Sequence, residues 1–280
     1  MRLRFLASTA LLCLTPALFA ASPKRALAAA NAIHYGPDPA QILEIHYPAG
    51  PGPFAWVMWV HGGGWTEGTF AGSSIPDGLN PLGYAVVSLE YRKNPQVRPE
   101  VSVSDVGNAI AYLQANAGKL KLAQQFSIMG HSSGSHQVAL FAVDPQYAAA
   151  THADLSHMYA WINLDGIFDV KADIDGNAKG KKIDHQQELF GTDPAHWAAM
   201  SPVDIVAKNG APAFHVCVVR ELTNPEYKPQ SAEWVAALQK AHAKLTVKEI
   251  PDYSHVELVK NFALAGGPVL EGVMPCLPPK

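Results

Sequence analysis

The chain has 280 residues, a formal net charge of −3, 48% hydrophobic residues and 16% charged ones. That length suits one α/β domain with a large core. The near-neutral charge, without a Lys/Arg cluster, argues against a nucleic-acid partner.

The chain opens on Met1-Arg2-Leu3-Arg4 and an apolar run from Phe5 to Phe19. A basic start, a short apolar core and small residues after it predict a secretory signal peptide over residues 1–30, cut after Ala20 or Ala21, or later near Ala28 to Ala30. The run is shorter than the ~20 residues of a spanning helix, so no membrane anchor is expected. Cys13 lies inside the apolar core and is a poor lipid acceptor. The expected location is therefore secreted or periplasmic, with residues 31–280 as the working domain. Cys217 and Cys276 remain in it, either as a disulfide or with Cys217 as a buried thiol.

Gln41 to Tyr47 alternates like an exposed or edge strand, and Phe54 to Val60 is apolar enough for a central strand covered on both faces. Tyr84 to Leu89 predicts the next strand. Val103, Val106, Ala109, Ile110 and Leu113 then fall at helical spacing, with Gly118 as a stop. Phe126 to Met129 is a short strand, followed by a helix-compatible run from Gln137. Tyr159 to Leu164 predicts another strand. Residues from about 169 to 200, with the basic run Lys179-Gly180-Lys181-Lys182, read as a polar, irregular cap over the sheet edge. Phe214 to Val219 and Leu245 to Ile250 predict the last strands, with helices over Ser231 to His242 and Val256 to Leu264. Strands alternating with helices predict an α/β domain with a mostly parallel sheet.

Two motifs carry the chemistry. Gly130-His131-Ser132-Ser133-Gly134 sits between a strand and a helix, where small residues allow a turn sharp enough to lift Ser132 above the sheet. His61-Gly62-Gly63-Gly64-Trp65 follows another apolar strand and supplies mobile backbone N–H groups. A serine hydroxyl is a weak nucleophile, and its attack on a carbonyl creates an oxyanion that needs donors aimed at it. His255 follows the last strand by a few residues, which puts an imidazole at the sheet edge where Ser132 emerges. No histidine pair has the spacing and carboxylate context of a metal site, so neither metal nor cofactor is expected.

With Tyr91-Arg92 and Asp105, Leu164-Asp165-Gly166-Ile167-Phe168-Asp169 and Pro251-Asp252-Tyr253-Ser254-His255 added in order, the chain resembles the α/β-hydrolase superfamily from roughly Glu44 to Phe262. The resemblance is nearest to the secreted esterase, hormone-sensitive-lipase-like and arylformamidase-like branches. It implies Ser132 as nucleophile, His255 as general base, and an oxyanion hole from the amides of Gly63, Gly64 and Ser133. Trp65 and His131 are candidate substrate contacts, with Phe70 and Trp197 as further candidate pocket walls. Tyr91-Arg92 with Asp105 implies a structural ion pair behind the site.

The acid is less determined. Relatives carry an aspartate in the loop after the strand ending near Val219, but here that loop reads Arg220-Glu221-Leu222-Thr223-Asn224-Pro225-Glu226. Glu221 is the first choice, Glu226 the second, and Asp165 or Asp169 the third. The expected function is hydrolysis of a carboxylic ester through an acyl-enzyme on Ser132. Small-molecule esters, carbohydrate- or aryl-linked ones included, are the expected partners. The rivals are an arylformamidase-like amide hydrolase and a non-catalytic binding protein on the same scaffold. Oligomeric state is not legible.

Overall fold

The computed structural model describes residues 32–176 and 181–280. The expected leader and part of the basic run lie outside the described residues. Eight strands are described: β1 (Ile33–His34), β2 (Ile42–His46), β3 (Phe54–Val60), β4 (Ala85–Leu89), β5 (Leu122–His131), β6 (Met158–Leu164), β7 (His215–Glu221) and β8 (Lys244–Ile250). They form one sheet in the order β1-β2-β4-β3-β5-β6-β7-β8. The first two join antiparallel, and every pairing from β4 to β8 is parallel.

The alternation of side chains along β3 explains why the sheet is covered on both faces. Trp56, Met58 and Val60 enter one apolar cluster with Phe141, Trp161 and Trp234. Ala55, Val57 and Trp59 enter the other with Ile162, Cys217, Phe262 and Val273. The helix expected around Val103 runs from Pro99 to Ala115, buries the predicted residues and begins with a proline whose missing N–H costs nothing there. Arg92 clamps Asp105 in the second turn of that helix through Nε and Nη2, at 2.9 and 2.7 Å, and Gln41 Nε2 donates to the same carboxylate at 2.7 Å. This is the structural ion pair that the resemblance implies.

Two differences from the sequence reading matter. First, the expected irregular cap is helical: α-helices cover Val170–Gly176, Lys181–Phe190 and Pro194–Ala199, and another follows at Pro202–Asn209. Asp169 and Asp193 cap the helices Val170–Gly176 and Pro194–Ala199 by accepting from Ala172 N and Ala195 N, at 2.8 and 3.0 Å. Second, β7 continues two residues past Val219, through Glu221. Of the two states left open for Cys217, the disulfide is the one present: it joins Cys276 with Cα atoms 6.0 Å apart, which pins the C-terminal segment to β7. Among the described residues no helix is long and apolar enough to cross a membrane.

Register places the site. Val60 pairs with Gly130, His131 with Leu164, Leu164 with Val219, and Glu221 with Ile250. The residues that follow these strands therefore emerge along one carboxyl edge, where ligands bind in open α/β sheets.

Candidate active site

Ser132 stands between β5 and the helix Ser133–Val143, at φ 58° and ψ −124°. This left-handed conformation is costly for a residue with a Cβ and is held by its surroundings. The glycines either side are required by close approach. A Cβ on Gly134 would lie 2.2 Å from Val60 O, and one on Gly130 would lie 2.2 Å from Gly134 O. Ser133 and Ser135 are buried; Ser132 lines two cavities, one of which Ser133 also borders.

The glycine loop packs directly on this turn. A Cβ on Gly62 would come within 2.9 Å of Ser132 Cβ, so the two motifs that stood apart in sequence are in contact. Gly63 has φ 129°, and a Cβ there would meet Glu67 O at 2.3 Å. His61 anchors the loop: its Nδ1 donates to Gly62 O at 2.7 Å, and its Nε2 lies 3.2 Å from Glu90 Oε1. Its ring also stacks on Tyr91, and the Tyr91 hydroxyl donates to His61 O at 2.9 Å.

His255 lies in the turn after β8. Its Nδ1 donates to Asp165 Oδ2 at 3.1 Å, while its buried Nε2 has no hydrogen-bond partner among the described residues. The imidazole is held between two rings, His131 at 4.2 Å and Tyr227 at 3.8 Å between centroids. His131 Nε2 also donates to His255 O at 2.9 Å. Burial lowers His255 to about 4, partly opposed by the charges of Glu221 and Glu226. Burial, then the charge of Glu221, raises Asp165 to about 8. His131 is held near 3 by burial and by His255, so it stays neutral at ordinary pH.

Glu221, the first choice for the carboxylate beside His255, makes no hydrogen bond to it; Asp165 stands there instead. The reason is the longer strand. As the last residue of β7, Glu221 is fully buried, and its carboxylate accepts from Thr223 N, Thr223 Oγ1 and Asn224 N. That makes it the cap of the following turn. Its own N–H donates to Asp165 Oδ1 at 3.2 Å. Glu226, the second choice, lines the smaller cavity, and Asp169 caps a helix. Asp165 immediately follows β6 at φ 44°, a left-handed conformation that aspartate tolerates.

The cavities differ in size and lining. The larger, about 460 Å³, holds His255 with Thr69, Ser73, Val259 and Lys260. The smaller, about 250 Å³, holds Trp65, Ile167, Gln186 and Glu226. Ser132, Gly64 and Tyr227 belong to both. Of the side chains expected to contact substrate, Trp65 lines the smaller cavity and His131 the larger. Phe70 and Trp197 line neither, and the Trp197 indole donates to Gly191 O at 3.0 Å. Tyr227 escaped the sequence reading. Its only signal is its place in Asn224-Pro225-Glu226-Tyr227, beside the acid loop. Among the described residues one trio has metal-ligand geometry, His215, Cys217 and Cys276, but both sulfurs are spent in the disulfide.

Known proteins resemble the chain over most of its length. Esterase LipC of Mycobacterium tuberculosis is 27% identical over 78% of this chain and 57% of its own. The chain thus spans little more than half of that relative. Kynurenine formamidase of Danio rerio is 21% identical over 82% of this chain and 75% of its own. Among solved structures, esterase B from Lactobacillus rhamnosis superposes with a TM-score of 0.72 at 20% identity, covering 88% of this chain and 84% of that one. Such a likeness establishes the α/β-hydrolase fold. The BD-FAE family model matches residues 43–218, a span that takes in the glycine loop, the serine turn and Asp165, and the chain belongs to the BD-FAE family.

Proposed function

We propose that the protein is a serine hydrolase of carboxylic esters. The observation that carries this reading is the His255–Asp165 hydrogen bond, with the opposite imidazole nitrogen left free in the cavity that contains Ser132. Esterase LipC, the relative described above, supports it. Ser132 Oγ attacks the ester carbonyl and passes its proton to His255 Nε2, while Asp165 keeps the other nitrogen protonated and steadies the imidazolium. The amides of Gly63, Gly64 and Ser133 hold the oxyanion. Losing one such donor costs about 3 kcal/mol, roughly a hundredfold or more in rate. His255 then protonates the departing alcohol, and a water activated by the same nitrogen releases the acid from the acyl-enzyme.

The leaving oxygen must lie against His255 to receive that proton. This assigns the alcohol to the larger cavity, which contains His255, and the acyl group to the smaller, which does not. A formamide is the second reading, favoured by the formamidase relative. A formyl group would leave the smaller cavity empty, which favours an ester. We also propose that the protein is exported, a reading supported by the leader-like residues 1–30. N-terminal sequencing of protein recovered from culture medium and periplasm tests that part.

A fluorophosphonate probe should label Ser132 in the folded chain, and Ser132→Ala should abolish hydrolysis of short acyl esters. Full activity in that variant would defeat the proposal. Faster turnover of N-formylkynurenine than of p-nitrophenyl acetate would select the second reading.

A further inference from the structure

The carboxylate of Glu90 holds both ends of the glycine loop, residues 61–70. Glu90 directly follows β4, whose last residue, Leu89, pairs with Val60 where the loop begins. Its Oε1 lies 3.2 Å from His61 Nε2 at the start of the loop, and its Oε2 accepts from Phe70 N at 3.4 Å at the end. The Glu90 main chain is fixed from elsewhere. Its N–H donates to Ile42 O at 2.9 Å, and its carbonyl accepts from the Tyr35 hydroxyl at 2.8 Å. Lys93 Nζ pairs with the buried carboxylate. Burial opposes the charge of Glu90, but the bond to His61 and the Lys93 ammonium outweigh it and hold the carboxyl below its usual range.

Between those two bonds lie Gly63 and Gly64, at φ 129° and 58°. Glycines have no side chains to aim their amides, so what surrounds the loop must do it. That support is the His61 ring. Its Nδ1 donates to Gly62 O at 2.7 Å, and Tyr91 stacks on its face. The loop returns against the same ring at Gly68, where a Cβ would lie 2.1 Å from Gly62 O and 2.6 Å from His61 Nδ1. Glu67 N donates to Gly63 O at 2.8 Å and closes the turn between them. A rotation of the imidazole would therefore displace Gly62 and Gly68 together, and Glu90 holds its far nitrogen.

We infer that Glu90 is a positioning residue for the hydrolysis proposed above, an inference that rests on that reading. It lines neither of the cavities beside Ser132 and acts through the loop. It fixes the rotation of His61 and, through Phe70 N, the return of the chain. The Gly63 and Gly64 amides are then already aimed when the carbonyl oxygen takes its charge. Donors set in advance cost no reorganisation at the moment of reaction, and a misplacement of ~1 Å far from the chemistry costs about 10²-fold. Glu90 gives and takes no proton, and no covalent bond to it forms or breaks.

The test compares the full chain with its Glu90→Gln and Glu90→Ala variants on p-nitrophenyl acetate and on its thiono analogue, in which sulfur replaces the carbonyl oxygen. Rates are normalised to active sites titrated by fluorophosphonate. Sulfur is the larger and weaker acceptor, so the thiono ester draws little on the loop amides. Glutamine keeps the size of the side chain but loses its charge and one acceptor. It should lower kcat on the oxygen ester about tenfold, the worth of one hydrogen bond to a charged group, and leave KM unchanged. Alanine removes both tethers and should lose roughly a hundredfold, the worth of an oxyanion donor. The thiono rate should fall much less, so the oxygen-to-sulfur ratio should drop in step with kcat. A purely structural Glu90 would lower the melting temperature and the fraction of titratable sites while leaving kcat and that ratio intact per site. That result, or an equal loss on both esters, overturns the inference. Should Glu90→Ala leave no titratable sites, Glu90→Gln decides alone. A wild-type chain that neither hydrolyses esters nor takes the probe at Ser132 sinks the hydrolase reading, and this inference with it. Activity in the wild type with full kcat in Glu90→Gln sinks this inference alone.

Discussion

Replacing Asp165 with asparagine, and Glu221 with glutamine in a parallel variant, separates the two buried carboxylates. Asp165 Oδ2 receives the Nδ1–H of His255 at 3.1 Å and is fully buried, so water cannot replace it. An asparagine amide donates to Nδ1 as readily as it accepts, which favours the tautomer with the proton on Nε2. That tautomer cannot take the serine proton, and the same change in other triads costs about 10⁴ in kcat, or ~5.5 kcal/mol. We expect Asp165→Asn to lose about 10³- to 10⁴-fold in kcat. Glu221→Gln keeps an acceptor for Thr223 and Asn224 and should stay within about tenfold of wild type.

The pH profile gives the same comparison a second reading. Wild-type kcat/KM should rise first as His255 loses its proton, near 4 because burial holds it well below ordinary imidazole. A further rise is expected as Asp165 ionises, near 8. Removing the Glu221 charge takes away one cause of that elevation, so Glu221→Gln should move the second rise to lower pH. The stability sign is the reverse. A carboxyl raised in the folded state binds its proton more tightly there than when unfolded, so its contribution to stability declines as pH rises through that range. Asp165→Asn should therefore melt no lower than wild type in alkaline buffer. Both variants are read by steady-state hydrolysis of p-nitrophenyl acetate from about pH 4 to about pH 10 and by thermal denaturation. A thousandfold loss in Glu221→Gln beside an Asp165→Asn variant within tenfold of wild type would refute the assignment.

Other consequences follow from the same packing. His136 is fully buried, donates from Nε2 to Met200 O at 2.8 Å and is lowered to about 4 by burial. Its folded value lies below its unfolded one, so the stability it contributes is present above about 6.5 and falls with pH, by ~2 kcal/mol at about pH 5. His136→Gln should flatten the decline in melting temperature between neutral and mildly acidic buffer; an unchanged slope would count against this. The Cys217–Cys276 bridge closes a loop with a sequence separation of 59, so Cys276→Ser should cost up to ~4 kcal/mol in urea denaturation. A denaturation midpoint that does not move would contradict it. Ile167, buried on the wall of the smaller cavity, should set acyl length: Ile167→Ala should raise octanoyl over acetyl turnover about tenfold. Lys260→Ala, on the larger cavity, should change only alcohol preference. The opposite pattern would reverse the assignment of the two cavities.

Period and motif made the parallel strands and the serine turn legible, because a strand buried on both faces and a turn that admits only glycine leave little freedom in composition. Phe54 to Val60 is such a strand, and Gly134, against Val60 O, is such a glycine. The helices Val170–Gly176 and Pro194–Ala199 were hidden because they are short and polar and owe their starts to single capping residues, Asp169 and Asp193. Glu221 was misjudged for a different reason. Whether a carboxylate at a strand end faces a histidine or folds into its own turn depends on where the strand stops, and boundaries are set by tertiary pairing. Here the pairing of Glu221 with Ile250 carries β7 two residues further than its apolar run. Those two residues withdraw Glu221 from His255 and turn it into the cap of the next loop. That same loop presents Tyr227, which no motif announces, to the imidazole. A carboxylate displaced from the acid's place at the end of β7 and a tyrosine gained beside the histidine are thus one structural event. Sequence alone misses both because both depend on one strand boundary.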